Sequence, residues 1–260
     1  MLSSPIRKAD LTKMYEAAIS FVRQEVHNAN VSGLVLGLSG GLDSSVALEV
    51  AVKAVGSSHV LGLVMPETGL TPDADVADAL EWARRQRIAT RYFELTSLLQ
   101  PFLRMLPEDR LCQGNLKARL RMALLYYFSN LENRLVVGTG DRSEILLGYF
   151  TKYGDGGADM LPLGRFYKTE LKVLAPELGV PPSICAKPSS PRLWRDQTAE
   201  GELGISYEVA DRILVLLEDE GLPPAVVKER LGLSKEVDSV ALRVAVSRHK
   251  REMPHICPEI

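Results

Sequence analysis

The chain has 260 residues, 46% of them hydrophobic and 25% charged, with a formal net charge of −2. This size and balance suit one folded domain and exclude both a disordered chain and a polybasic nucleic-acid surface. Cys112, Cys185 and Cys257 form no CxxC pair, and His27, His59, His249 and His255 form no HxxxH pair. A zinc site is therefore not expected, and the thiols read as ordinary reduced cysteines of a cytosolic protein. The first ten residues contain no apolar core of a signal peptide, and no apolar run approaches the ~20 residues that span a bilayer.

Leu11, Tyr15, Ile19, Val22 and Val26 recur at helical spacing, which predicts an amphipathic first helix. Residues 31–38 form a short apolar run ending in glycines and predict a buried strand, and 44–55 return to helical spacing. A second apolar run covers 60–65. Thr71 and Pro72 then predict a helix N-cap and first position, opening a helix that runs to about residue 86. A third strand is expected over 88–95, a helix over 116–128 and a short apolar strand over 135–138. Beyond Lys168 the pattern is helical, except for a proline-broken loop of about 20 residues before Ser206, long enough to suggest a functional loop. A last helix after Ser234 should bury Val237, Val240, Ala241, Val244 and Ala245, and it ends in Arg248, His249 and Lys250. Alternating strands and helices predict an α/β fold, a parallel sheet with helices on both faces and ligands at the carboxyl ends of the strands.

The residues after those strands carry the chemistry. Leu38-Ser39-Gly40-Gly41-Leu42-Asp43-Ser44-Ser45 lies between the first strand and a helix. Two glycines allow a tight turn and close backbone approach, and the free N–H groups and serine hydroxyls form an anion cradle. Asp43 would repel a phosphate there unless Mg²⁺ lies between them. A Gly-Gly turn with a capping Asp is the plainer alternative. The loop is neither Walker A nor GxGxxG, since no lysine follows at the required place. It resembles the SGGxDS pyrophosphate loop of the PP-loop ATP pyrophosphatases, which cleave ATP between its α and β phosphates.

A second motif runs from Gly138-Thr139-Gly140-Asp141-Arg142-Ser143-Glu144 to Gly148-Tyr149-Phe150-Thr151-Lys152-Tyr153-Gly154-Asp155-Gly156-Gly157-Ala158-Asp159. It resembles the GTxxxSExxxGYxTKYGDGGxD signature of NAD synthetases. Gly114-Asn115-Leu116-Lys117-Ala118-Arg119, Tyr167-Lys168-Thr169, Leu203-Gly204-Ile205-Ser206-Tyr207 and His249-Lys250-Arg251 match further segments in order. The resemblance spans about residues 10–255.

It implies an adenine nucleotide alpha hydrolase-like (N-type ATP pyrophosphatase) fold, with residues 1–260 as a single synthetase domain and no glutaminase domain. It implies an ammonia-dependent reaction. The nicotinate carboxylate of deamido-NAD attacks the α-phosphorus of ATP, pyrophosphate leaves, and ammonia displaces AMP from the acyl adenylate. ATP would be bound by Gly37, Leu38, Ser39, Gly40, Gly41, Leu42, Asp43, Ser44, Thr139, Lys168 and Ser190. Mg²⁺ would be held by Asp43 and Glu144. Arg119, Lys152, Asp159, His249 and Lys250 would bind deamido-NAD, and Asp43, Lys152 and Asp159 would take part in catalysis. The resemblance also implies a two-fold homodimer, while the cysteines, charge and hydropathy point to a cytoplasmic protein with no nucleic-acid or membrane partner. The 116–128 helix, apolar on nearly every side, independently asks for cover on all sides.

Two departures stand out. Ser189-Ser190-Pro191-Arg192-Leu193 replaces the usual Pro-Ser/Thr-Ala-x-Leu, and Arg165 stands where the family often has an acid. The rival readings are a tRNA-thiolating PP-loop enzyme, which calls for a basic surface, an enzyme amidating another nucleotide, and a non-catalytic nucleotide-binding regulator.

Overall fold

Gly33–Gly37 (β1) runs through the middle of the molecule, with Leu34, Val35 and Leu36 wholly buried. The computed structural model describes residues 10–254, 256 and 257, so His255 lies outside the described residues. β1 pairs in parallel with Val60–Val64 (β2) on one side and Arg134–Val136 (β4) on the other, and Ala89–Tyr92 (β3) adds in parallel beyond β2. The strand order β3-β2-β1-β4 reverses direction of growth at β1, which opens a crevice between the carboxyl ends of β1 and β4.

Alternation along β1 divides the core. Leu34 and Leu36 pack with Val22 of Leu11–Ala29 (α1), Val46 and Val50 of Leu42–Val55 (α2), Trp82 of Asp73–Arg85 (α3) and Leu171 of Lys168–Glu177 (α7). Val35 faces the other way and packs with Leu61, Leu63, Val136 and Phe128. Phe128 belongs to Arg110–Glu132 (α5), the long helix on that face, which follows Leu95–Leu103 (α4). The sheet is thus covered on both faces, as the sequence pattern requires. A separate helical core gathers Leu147 of Arg142–Leu147 (α6), Leu203 of Ala199–Leu203 (α9), Ile213 of Tyr207–Leu214 (α10), Val227 of Pro224–Leu231 (α11) and Val240 of Ser234–Val246 (α12). A short helix, Pro182–Cys185 (α8), precedes the long loop and buries Ile184 in the main core.

Several boundaries differ from the sequence reading. Pro72, not Thr71, is the N-cap of α3, because the Thr71 hydroxyl accepts from the Glu67 N–H at 3.0 Å and closes the preceding turn. The third strand is only four residues long and all four are exposed, as suits a sheet edge; Leu95 already belongs to α4, which the sequence reading did not anticipate. α5 extends to 23 residues, started by Asp109, whose carboxylate accepts from Cys112 N–H at 2.7 Å. Ala245 of α12 is exposed, while Val237 and Val240 are buried.

Candidate active site

A cavity of about 820 Å³ opens at the carboxyl ends of β1, β2 and β4. Gly37, Leu38, Ser39, Gly40, Gly41, Leu42, Asp43 and Ser44 line it, with Met65 after β2 and Thr139 and Glu144 after β4. Both strand-end motifs singled out in the sequence therefore meet, with Met65 after β2 beside them. The loop after β1 is held by its own side chains. The Ser39 and Ser44 hydroxyls lie 3.0 Å apart, and the Ser44 and Ser45 hydroxyls donate to Gly41 O at 3.1 and 2.8 Å. Gly40 has φ +72°, and a Cβ there would stand 2.0 Å from the Asp75 carbonyl oxygen. Only glycine lets the loop pass α3 so closely at this positive φ.

At the base of the cavity stands a charge cluster. Lys168, the first residue of α7, is fully buried, and its Nζ lies 2.6 Å from Asp43 Oδ2, 2.8 Å from Asp141 Oδ2 and 2.9 Å from Glu144 Oε1. Oxygens of these three carboxylates come within 4.8 Å of one another. Asp141 and Glu144 are placed by a capping box: Asp141 Oδ1 accepts from Glu144 N–H at 2.8 Å, and Glu144 Oε2 accepts from Asp141 N–H at 3.3 Å. Burial pushes the Asp141 carboxyl up to about 7, partly opposed by Lys168, and pushes Glu144 well above the ordinary carboxylate range. Lys168 is held well above the usual lysine value, because the carboxylates outweigh the burial that disfavours its charge.

Three carboxylates facing one ammonium leave the cluster two charges negative when all are ionised. Asp43 Oδ1 is buried and has no hydrogen-bond partner among the described residues, although it lines the cavity. Hard anionic oxygens, one of them unpartnered, fit a divalent cation such as Mg²⁺. Asp141 is a third member of this set that the sequence reading passed over; its signal was the Asp-x-x-Glu capping pattern before a short apolar helix.

The remaining predicted residues fall in three places. Ser190 and Lys250 line the cavity with Thr139. The Ser190 hydroxyl, however, donates to Gln197 O at 2.6 Å and folds the loop onto itself. Lys250 donates to the Gly148 and Phe150 carbonyls, both at 2.8 Å, and burial lowers its pKa. Arg119, Lys152 and His249 meet outside that lining: Arg119 donates to Lys152 O at 3.3 Å, and Lys152 Nζ donates to His249 O. The His249 residue is exposed. Asp159 accepts from Tyr126 OH at 3.0 Å and from Val136 N–H at 2.7 Å, so both its oxygens are engaged beside β4.

The loop between α8 and α9 is seated over the cavity. Lys187 Nζ reaches Gly40 O at 2.9 Å, Asp75 at 2.8 Å and Asp78 at 2.7 Å, and Arg192 reaches Asp75 at 3.2 Å. Lys117 donates to Leu193 O at 2.8 Å, and the Arg110 guanidinium lies 5.1 Å over the Trp194 ring. Arg192, the basic departure noted in the sequence, is thus tied to α3. Asp75 and Lys187 carried no motif that sequence reasoning could have used; Arg121, whose Nε donates to Met65 O at 3.2 Å inside the cavity wall, follows closely on the matched segment ending at Arg119 and was given no role there.

The arrangement has the donor chemistry that suits a polyanion with a cation, at the switch point of a parallel sheet. Residues 14–254 match the family model described as NAD synthase. The NH(3)-dependent NAD(+) synthetase of Methanosarcina mazei is 44% identical over 256 residues, covering 96% of this chain and 99% of that one. Among solved structures, the NMN synthetase of Francisella tularensis superposes with a TM-score of 0.84 at 30% identity, covering 97% of this chain and 100% of that one. The NH3-dependent NAD synthetase of Campylobacter jejuni, solved with a nitrate ion, gives 0.78 at 30% identity, covering 96% and 100%. A family match over nearly all of the described residues, on a fold whose strand-end loops converge on one cavity, places this chain in the NAD synthase family.

Proposed function

We propose that the chain forms NAD from deamido-NAD, ATP and ammonia through an adenylated deamido-NAD intermediate, releasing AMP and pyrophosphate. The observation that carries this reading is the Asp43–Asp141–Glu144–Lys168 cluster directly behind the glycine-serine loop. A loop of N–H groups and hydroxyls suits the pyrophosphate of ATP, and a buried ammonium beside it suits charge that builds on departing phosphates. Asp43 and Glu144, with Asp141 behind them, would hold Mg²⁺, which when bound neutralises phosphate charge. Arg119, Lys152, Asp159 and His249-Lys250 are read as the deamido-NAD side of the site, with Lys152 and Asp159 as its candidate catalytic groups. Residues 1–260 are read as one synthetase domain working in the cytoplasm. Among the described residues no helix is long and apolar enough to cross a membrane.

Ammonia is the proposed nitrogen donor. The M. mazei relative carries that donor in its name, and none of the three cysteines lines the cavity. Cys112 and Cys257 are exposed, and burial pushes the Cys185 thiol up rather than activating it. The test follows AMP and pyrophosphate with deamido-NAD, nicotinate mononucleotide or no acceptor, each with ammonium or with ammonia-free glutamine. The mononucleotide arm is included because the F. tularensis neighbour is an NMN synthetase. Product release only with deamido-NAD and ammonium is expected. Equal turnover with glutamine would overturn the nitrogen source, and preference for the mononucleotide would overturn the acceptor.

The same proposal includes a homodimer through α4 and α5. Rather than being covered all round, α5 leaves Tyr127 62% and Leu131 63% exposed, and α4 adds Leu98 and Phe102. An apolar face of this kind on a helix otherwise packed to the sheet suits a two-fold contact. Sedimentation at micromolar concentration should give about 57 kDa, twice the mass of one chain. A species at the 28.6 kDa of one chain would overturn it.

A further inference from the structure

Asp211 lies on α10, in the helical core and outside the quoted motifs, and it has no exposed surface. Its Oδ1 accepts from the Ser143 hydroxyl at 2.5 Å, and its Oδ2 accepts from Thr169 N–H at 3.0 Å and from the Thr169 hydroxyl at 2.8 Å. The Ser143 oxygen in turn accepts from Lys168 N–H at 2.9 Å. One carboxylate thereby fastens the first turns of two helices, α6 with Glu144 and α7 with Lys168. Free N–H groups at a helix start need acceptors, but a local Ser or Asn cap would serve that need. At α7 the Thr169 N–H is accepted instead by a charged residue 42 positions away. Burying a carboxylate for capping alone is costly. What this one does besides capping is fix the separation between the backbones of Lys168 and Glu144, whose side chains meet at 2.9 Å.

We propose that Asp211 is a positioning residue for adenylation: through Ser143 and Thr169 it holds Lys168 where its ammonium meets the carboxylate cluster and the departing phosphates. The inference rests on the adenylation reading above. It adds a second contact from α10 to the cluster, since the Tyr207 ring of the same helix lies 5.5 Å from the Lys168 ammonium.

The test is a double-mutant cycle on AMP formation, measured with enzyme in excess over labelled ATP so that losses of ~10⁴-fold remain readable. Asp211→Asn keeps the shape but cannot accept from both Ser143 and Thr169, and should slow adenylation by ~10-fold or more while the protein still unfolds cooperatively above the assay temperature. Lys168→Ala should cost more. In the double variant the loss should stay within ~3-fold of Lys168→Ala alone, because Asp211 acts through Lys168. A purely structural role would multiply the two losses instead. Should Asp211→Asn fold poorly, Ser143→Ala breaks the same link to the Lys168 N–H while leaving Asp211 bonded to Thr169, and the same cycle applies. Multiplying losses, or an Asp211→Asn rate within ~2-fold of wild type, overturns the proposal. Wild-type protein run in parallel separates the two claims: no AMP from wild type counts against adenylation itself.

Discussion

Replacing Asp43 by Asn should slow adenylation at least ~100-fold, about 2.7 kcal/mol of transition-state stabilisation, with the fold intact. The substitution keeps size and one acceptor oxygen but removes the charge. Asp43 lines the cavity on the first turn of α2 and is no part of the apolar core, so little packing depends on it. Its loss still leaves Lys168 paired with Asp141 and Glu144. What disappears is an anionic oxygen set facing a triphosphate, including Oδ1, which has no other partner among the described residues. Glu144→Gln should have a similar effect, since its capping acceptor for the Asp141 N–H survives in the amide oxygen. If both carboxylates act through one bound cation, the double variant should lose less than the product of the single losses. The measurement is pyrophosphate release at saturating Mg-ATP and deamido-NAD. A near-normal rate for Asp43→Asn would reduce this residue to a first-turn carboxylate favouring its helix dipole.

The sheet and the loops at its edge were legible because they rest on local rules. Apolar runs ending in glycine marked β1 and β4, and the Gly-Gly-x-Asp-Ser and Gly-Thr-Gly-Asp motifs had to fall where parallel strands end. Helix starts were less legible. Thr71-Pro72 satisfied the capping rule on paper, but the hydroxyl was claimed by Glu67 N–H, a bond belonging to the turn. The edge strand β3 lacked the apolar run of a buried strand, because its four residues face solvent. Within the site, Asp141 could have been found from its spacing to Glu144, whereas Asp211 and Asp75 could not. Each acts across the fold, Asp211 on residues 42 and 68 positions away and Asp75 on residues 112 and 117 positions away. No local periodicity encodes such contacts. The apolar run of α5 predicted burial on all sides, whereas Tyr127 and Leu131 stand exposed, because only one face of the helix packs on the sheet.

Lys168→Met should abolish most activity, by ~10³-fold, and should also make stability depend steeply on pH. The methionine fills similar space without the ammonium, so three carboxylates would face each other around an apolar side chain. Burial already holds Asp141, at about 7, and Glu144 above ordinary carboxyls, and Lys168 is the group that pulls both down. Without it both rise further. A carboxyl with a raised folded pKa binds its proton in the folded chain at pH values where the unfolded chain has released it. Stability therefore falls as pH rises from the ordinary carboxyl range, ~4, through the raised folded values. Lys168 itself does not shape this window in wild type, since its contribution is complete below the ordinary lysine value of 10.5. The variant should accordingly be nearest to wild type at about pH 5 and furthest from it at about pH 8, where the deficit should reach roughly 3 kcal/mol. That figure is at the low end for a broken buried pair because Asp43 and Glu144 keep 24% and 21% of their side-chain surface exposed. Added Mg²⁺ should raise the variant's Tm more than wild type's at pH 8, as binding to the folded state alone stabilises it. Thermal unfolding from pH 5 to 8, with and without Mg²⁺, measures all of this. An equal Tm deficit across that range would mean that Lys168 supports the fold by packing and not by its charge.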